Sequence, residues 1–419
     1  MLLSALFHLY VCYRTYQPVV LCAVRIWGSV ILRARGAPAS VNRHPRVLTV
    51  TPSGNKKYKQ IIAAQYAQAQ NWRGLVQVIT ALAGVAMLWS LALVSVSISY
   101  WLIIPTVLLI SLFTLRVFAL MHECGHGSLF RSPWLNRTAG FLLGVVSGMP
   151  QYVWSQHHNY HHAHNGNWEK YRGPYTTASV DEYAAMTELQ QRLYRYKCSV
   201  AVSPLVGFIY LIFNPRFTWL KGSLELVSYV VKTKATQPAM RLPAIIASFP
   251  SRYWKSRREY WHMFWNNVVL LSVWALMCWV FGTALFFIIY IASVSLAGAA
   301  GIVLFTVQHN FEHAYASDSK RWDYDAGAME GTSFLIMPGW LNWLTANIAY
   351  HHIHHLSAKI PNYRLSKCHD DLRDLFSEVT RLKLLHVHKA LKFILWDSRA
   401  QRIISVAEYQ QQLGLTRVM

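Results

Sequence analysis

Four apolar runs constrain this chain more than any other feature. Residues 74–97 and 101–121 form one pair, with no charge until Arg116, and residues 265–282 and 284–307 form a second. Crossing a bilayer core of about 30 Å takes about 20 apolar residues in a helix. The gap within each pair is very short, so each pair reads as a helical hairpin. Only 14% of the residues are charged and 54% are apolar, against roughly 25% charged in ordinary soluble domains. That excludes a disordered chain and points to an all-α membrane protein.

The net charge of +22 sits beside the apolar runs and not in a polar basic domain, which fits loops against anionic lipid and gives no nucleic-acid partner. The positive-inside bias places residues 36–73 and 215–262 on the cytoplasmic side. A crossing by the short apolar run 199–213 would put these two basic stretches on opposite sides, so 199–213 reads as an interfacial helix. Residues 138–156, broken by Gly140, Gly144, Gly148 and Pro150, read as a second interfacial segment. The expected layout has four spans in two hairpins, with 1–73 a basic interfacial segment and 74–365 the membrane domain. Residues 308–419 form a cytosolic helical cap that ends in an amphipathic tail, 366–419. Residues 1–35 carry Arg14, Arg25, Arg33 and Arg35 but no basic region ahead of their apolar stretch, so no signal peptide is read there. Six scattered cysteines without a C-x-x-C pair exclude a disulfide scaffold and a cysteine-ligated metal.

Thirteen of the 19 histidines fall in three short stretches and a satellite pair. The stretches are His122-Glu123-Cys124-Gly125-His126, His157-His158-Asn159-Tyr160-His161-His162-Ala163-His164 and His351-His352-Ile353-His354-His355. His309 and His313 make the pair. On a helix, positions i, i+3 and i+4 share a face, so each H-x-x-H-H box is expected to aim three imidazoles at one point. Neutral imidazole ligates iron, zinc, copper and nickel. The ten donors His122, His126, His158, His161, His162, His309, His313, His351, His354 and His355 suit two metals, each with room for an exchangeable position. His157, His164 and His352 point off the box faces. His8, His44, His262, His369, His386 and His388 read as ordinary histidines.

His122-Glu123-x-x-His126 also matches the zinc protease motif, in which the Glu is a general base. The surplus of further boxes opposes that reading, as does the lack of Asp within 265–307. Soluble di-iron carboxylate proteins pair two Glu-x-x-His motifs. This chain has one, Glu259-x-x-His262, so two irons would be held by nitrogen.

The boxes resemble those of the membrane fatty acid desaturases. His122 to Ser128 is similar to their H-x-x-x-H box, and 158–162 and 351–363 to their two H-x-x-H-H boxes. Gln308 to His313 resembles a segment that supplies one more ligand, with His309 ranked before His313. Gly166-Asn167-x-Glu169 with Arg172-Gly173, and Asp181-Glu182-Tyr183, resemble the stretch after box two in bacterial acyl-lipid members. The sequence departs from the relatives at Pro174-Tyr175. The resemblance covers roughly 74–365 and implies a di-iron enzyme with O2 as co-substrate. Such an enzyme removes two hydrogens from an acyl-lipid chain with two external electrons. It fits a bacterial inner-membrane location, and the positive-inside parity above puts both termini and the boxes on the cytoplasmic side.

No fused cytochrome b5-like His-Pro-Gly-Gly is found, so a separate ferredoxin or cytochrome b5-type donor is expected. Competing readings are a membrane hydroxylase or carotenoid oxygenase, and a histidine-rich metal transporter. Trp154, Trp168, Trp340 and Trp343 read as an interfacial aromatic belt or as the lining of an acyl tunnel.

Overall fold

Helices dominate the computed structural model, which describes residues 55–173 and 176–416. Residues 1–54, where most of the expected N-terminal segment falls, lie outside the described residues, as do Pro174 and Tyr175. The main helices are α1 (Asn55–Tyr66), α2 (Asn71–Ile98), α3 (Ile103–His126), α4 (Pro133–Ser147), α5 (Gln151–His164), α6 (Asn214–Thr236), α7 (Arg257–Phe281), α8 (Thr283–His309), α9 (His351–Leu356) and α10 (Asn362–Asp371). All belong to one compact unit, Lys56–Met419, apart from Asn55.

Five helical stretches are long and apolar enough to cross a membrane: Asn71–Ile98, Tyr100–His126, Val200–Thr236, Arg257–Phe281 and Thr283–His309. Four of them coincide with the expected spans to within a few residues, and the first two lie side by side. Ser95 and Thr106 hydroxyls meet at 3.2 Å across the turn, and the Phe113 ring fills the space beside Gly84. The last two meet likewise, the Trp274 ring standing 5.6 Å and 5.3 Å from those of Phe287 and Tyr290.

α3 runs on beyond its apolar run to His126, because polar side chains end the hydropathy signal without ending the backbone ladder. Gly127 then stops it. Its φ of 66° is left-handed. Its N–H donates to the Cys124 carbonyl at 3.0 Å, and that of Ser128 to the Glu123 carbonyl at 3.1 Å. This closes the helix C-terminus one residue past box one.

The expected interfacial helix 199–213 is the first part of a 37-residue helical stretch, Val200–Thr236. A π-turn, Ile209–Phe213, precedes Pro215, which has no N–H to offer. Arg216 makes good the loss: its Nη1 donates to the Leu211 and Ile212 carbonyls at 3.2 Å and 2.9 Å, and to the Gly148 carbonyl at 2.9 Å. Gly207 and Gly298 let this stretch touch α8 backbone to backbone, since a Cβ on Gly207 would stand 2.7 Å from the Gly298 Cα. The expected segment 138–156 is two helices, α4 and the start of α5. They break at Gly148, whose φ is 81°, and Pro150.

The cap is not purely helical. Strands β1 (Ala178–Ser179), β2 (Phe334–Ile336), β3 (Arg381–Lys383), β4 (Phe393–Asp397) and β5 (Arg402–Ser405) form two small sheets. β4 pairs antiparallel with β5 (Leu395 opposite Ile404) and parallel with β1 (Leu395 opposite Ala178). β2 pairs parallel with β3. Residues 366–416 thus hold the end of α10, strands β3, β4 and β5 and a final helix, Val406–Thr416, so the expected helical cap is mixed in this part. Short apolar runs such as Phe393-Ile394-Leu395-Trp396 carry no periodicity that separates strand from helix. Around box three, Ile353, Leu356, Ile360, Leu365 and Cys368 pack with Ile62 and Tyr66 of α1.

Candidate metal centre

α3, α5, α8 and α9 converge so that eight box histidines and His309 fall into two groups. His122, His126, His158, His162 and His354 form the first, and His161, His309, His351 and His355 the second. Within each group, one nitrogen from every ring lies within 4.8 Å of the others, and all nine residues are buried. The groups adjoin, with the His162 ring stacked on that of His355 at 4.1 Å.

The expectation that each H-x-x-H-H box serves one point is corrected. Box two sends His158 and His162 to the first group and His161 to the second. Box three sends His354 to the first, and His351 and His355 to the second. Helix geometry explains the split. Residues i and i+4 differ by about 40° around the axis, whereas i+3 and i+4 differ by about 100°. The i,i+4 pair therefore converges and the i+3 ring swings to the neighbouring point.

The donor set fits metal ions. Nε2 of His158 lies 2.9 Å from that of His122 and 3.0 Å from that of His162. In the second group, His161 and His355 Nε2 are 3.1 Å apart, and His309 and His351 Nε2 2.8 Å. Two nitrogens bound at right angles, about 2.1 Å from one ion, stand about 3.0 Å apart. Nε2 of His126 and both ring nitrogens of His354 are buried with no protein partner. Burial holds the imidazoles of His158, His161, His162, His351, His354 and His355 well below their ordinary pKa, and the charges of neighbouring rings add to this. They are neutral at pH 7, the form that ligates metal.

His313 is not brought to either group. α8 ends at His309, so the i,i+4 relation does not extend to it. His313 stands at a left-handed φ of 66° with its side chain exposed, 3.9 Å from Glu312. The His313→Ala variant is expected to keep the wild-type iron content and product yield, measured side by side.

His352 is buried off the box face, its Nε2 3.2 Å from Nδ1 of His369. Trp154 is no belt residue: it is buried and stacks on His158 at 4.3 Å. Trp168 is buried and stacks on Trp396 at 4.5 Å, whereas Trp340 and Trp343 are exposed. Sequence reasoning missed Tyr171, whose ring lies 4.5 Å from that of His161. Glu123 is as buried as the ligand candidates. Its carboxylate accepts from Ser128 Oγ at 3.0 Å and from the Asn362 N–H at 3.1 Å, and it meets His122 Nδ1 at 3.1 Å. A carboxylate so occupied behind the imidazoles is not placed to activate water as the protease motif requires.

The model of the fatty acid desaturase family matches residues 98–382. A fatty acid desaturase from Bacillus subtilis is 31% identical over 355 residues, covering 83% of this chain and 91% of the relative. The chain belongs to the fatty acid desaturase family. This desaturase is thus an iron-dependent oxidoreductase, and its apolar helices fit an integral membrane protein. It is also similar to a Picosynechococcus sn-1 oleoyl-lipid 12-desaturase, at 23% identity over 67% of this chain and 71% of the relative. An Arabidopsis thaliana temperature-sensitive sn-2 acyl-lipid omega-3 desaturase (ferredoxin) is 23% identical over 67% of this chain and 59% of its own length.

Proposed function

We propose that this desaturase is a membrane di-iron enzyme that introduces a C=C double bond into a lipid-linked acyl chain with O2 and two external electrons. The observation that carries this reading is the assembly of nine buried imidazoles, from three boxes and His309, into two adjoining groups. His122, His126, His158, His162 and His354 would hold one iron, and His161, His309, His351 and His355 the other. Iron supplies the O2-dependent oxidation that an unactivated C–H bond requires, since acid–base side chains cannot attack it. Two adjacent methylenes lose two hydrogens, and with O2, two electrons and two protons the products are the alkene and two waters. The protein's part is to keep the imidazoles neutral, fixed and away from bulk water, with Trp154 against His158 and Tyr171 against His161.

The acyl-lipid substrate draws support from the names of the cyanobacterial and plant relatives. The electrons would come from a separate carrier of the ferredoxin or cytochrome b5 type. The ferredoxin in the name of the Arabidopsis relative favours this, as does a net charge of +22 that steers acidic carriers.

Four crossings, with both termini and the boxes on the cytoplasmic face of a bacterial inner membrane, suit the geometry. His126 and His309 end two spans at the same centre, and α5 belongs to it as well. If α7 and α8 cross as a hairpin, Arg257 starts on that side too. The chain between His164 and Arg257 must then cross an even number of times, which a single crossing by Val200–Thr236 would violate. That stretch, roughly 55 Å long at 1.5 Å per residue, would lie along the interface. Residues 74–365 would be the catalytic domain and 366–419 part of the cytosolic cap.

The test is fatty acid profiling by gas chromatography–mass spectrometry, in a host lacking polyunsaturated lipids. The wild type is expected to add an unsaturated acyl species that is absent when His161 and His162 are both replaced by alanine. A hydroxy acid in its place would move the assignment to a hydroxylase. An unchanged profile, with the protein inserted and loaded with iron, would remove acyl lipids as the substrate.

A further inference from the structure

Nine neutral imidazoles carry no negative charge to set against two divalent ions. Glu123 is the one buried carboxylate beside the two groups among the described residues, and it stands behind the first group only. Its Oε1 accepts from Nδ1 of His122 at 3.1 Å. The same oxygen lies 4.0 Å from Nδ1 of His354, a buried nitrogen with no hydrogen-bond partner. These two rings come from box one and box three, and both belong to the first group.

The other carboxylate oxygen is fixed independently. It accepts from Ser128 Oγ and from the Asn362 N–H. Asn362 is tied in turn to α2, where its side-chain amide exchanges hydrogen bonds with that of Gln77 at 3.1 Å and 2.8 Å. The carboxylate is thus held by the loops that follow box one and box three, and by the first apolar helix.

In the second group, the corresponding support behind His309 is neutral: its Nδ1 lies 3.2 Å from the Gly331 carbonyl. A carboxylate that accepts from a ligating imidazole fixes its tautomer and raises its basicity more than a carbonyl does. Losing such a partner typically costs 10- to 100-fold in metal affinity.

We infer that Glu123 is a positioning residue for the first metal position, orienting His122 through a carboxylate partner that the second position lacks, so that the two positions are unequal. This rests on the reading of both groups as metal positions. It gives the Glu of the His-Glu-x-x-His sequence a task other than general base.

The test is Co(II) and Fe(II) titration of the full-length protein in detergent, with metal content and Co(II) absorption as readouts. Thermal unfolding of each metal-free form checks that the variants are folded. Wild type is expected to bind two ions. Glu123→Gln is expected to keep one tight position and to weaken the other about 10- to 100-fold. Ser128→Ala, which removes a carboxylate partner but leaves the carboxyl group and its His122 contact, is expected to keep both.

Combining Glu123→Gln with His161→Ala should leave no tight position, whereas combining it with His158→Ala should leave one. Two tight ions in Glu123→Gln would overturn the inference alone, as would equal weakening of both positions, or a Ser128→Ala profile matching Glu123→Gln. Fewer than two ions in wild type would overturn the two-metal reading itself, and the inference with it.

Discussion

His161→Ala and His162→Ala, substitutions at adjacent positions, are expected to empty two different metal positions. His161 belongs with His309, His351 and His355, and His162 with His122, His126, His158 and His354. Each single variant should bind about one iron in place of two and yield no detectable unsaturated product, a loss of at least about 100-fold. Removing a partner behind a ligand already costs 10- to 100-fold, and removing the ligand itself costs more. The combinations are sharper. His161→Ala with His351→Ala removes two ligands of one group and should lose no more iron than either alone. His161→Ala with His162→Ala should lose both ions. Effects within one site overlap and effects across two sites add. If each box served its own ion, the adjacent pair would behave as one site and retain one iron. Iron per chain, measured after gel filtration on the three single and two double variants, decides between the two.

Much of this was legible because membranes and metals leave strong marks in a sequence. The apolar runs located four helices, and His122, His126 and the two H-x-x-H-H boxes named eight of the nine grouped histidines. His309 was ranked ahead of His313, but the reason shows only in three dimensions: the helix ends at His309, and no spacing rule states where a ladder stops.

The division of the boxes was hidden for a related reason. Sharing a helix face permits convergence, but the approach of α9 to α5 decides which rings meet. Strands β4 and β5 were missed because runs of four or five apolar residues have no readable period. The parallel partner of β4, β1, lies more than 200 residues earlier, opposite Leu395 and Trp396. Glu123 was visible only inside a protease-like motif. Its true neighbours, Ser128 and Asn362, depend on loops that local sequence does not place.

Stripping iron should cost this desaturase all of its activity and a measurable part of its stability. Without a cation, the Nε2 atoms of His122 and His158 face each other at 2.9 Å, and those of His309 and His351 at 2.8 Å. Nε2 of His126 and of His354 are buried without partners, and each such group costs about 1–3 kcal/mol. An ion that binds only the folded chain stabilises it by RT ln(1 + [L]/Kd), about 4 kcal/mol at a thousandfold excess over Kd. Loading with Fe(II) is therefore expected to raise the unfolding midpoint by roughly 5–10 °C in detergent. Zn(II) takes nitrogen ligands but has no redox chemistry. It should recover most of the lost stability and none of the product. Metal-free protein that melts with the iron-loaded form would remove the claim that these histidines are assembled around metal. Zinc-loaded protein that makes product would remove the claim that the chemistry is iron's.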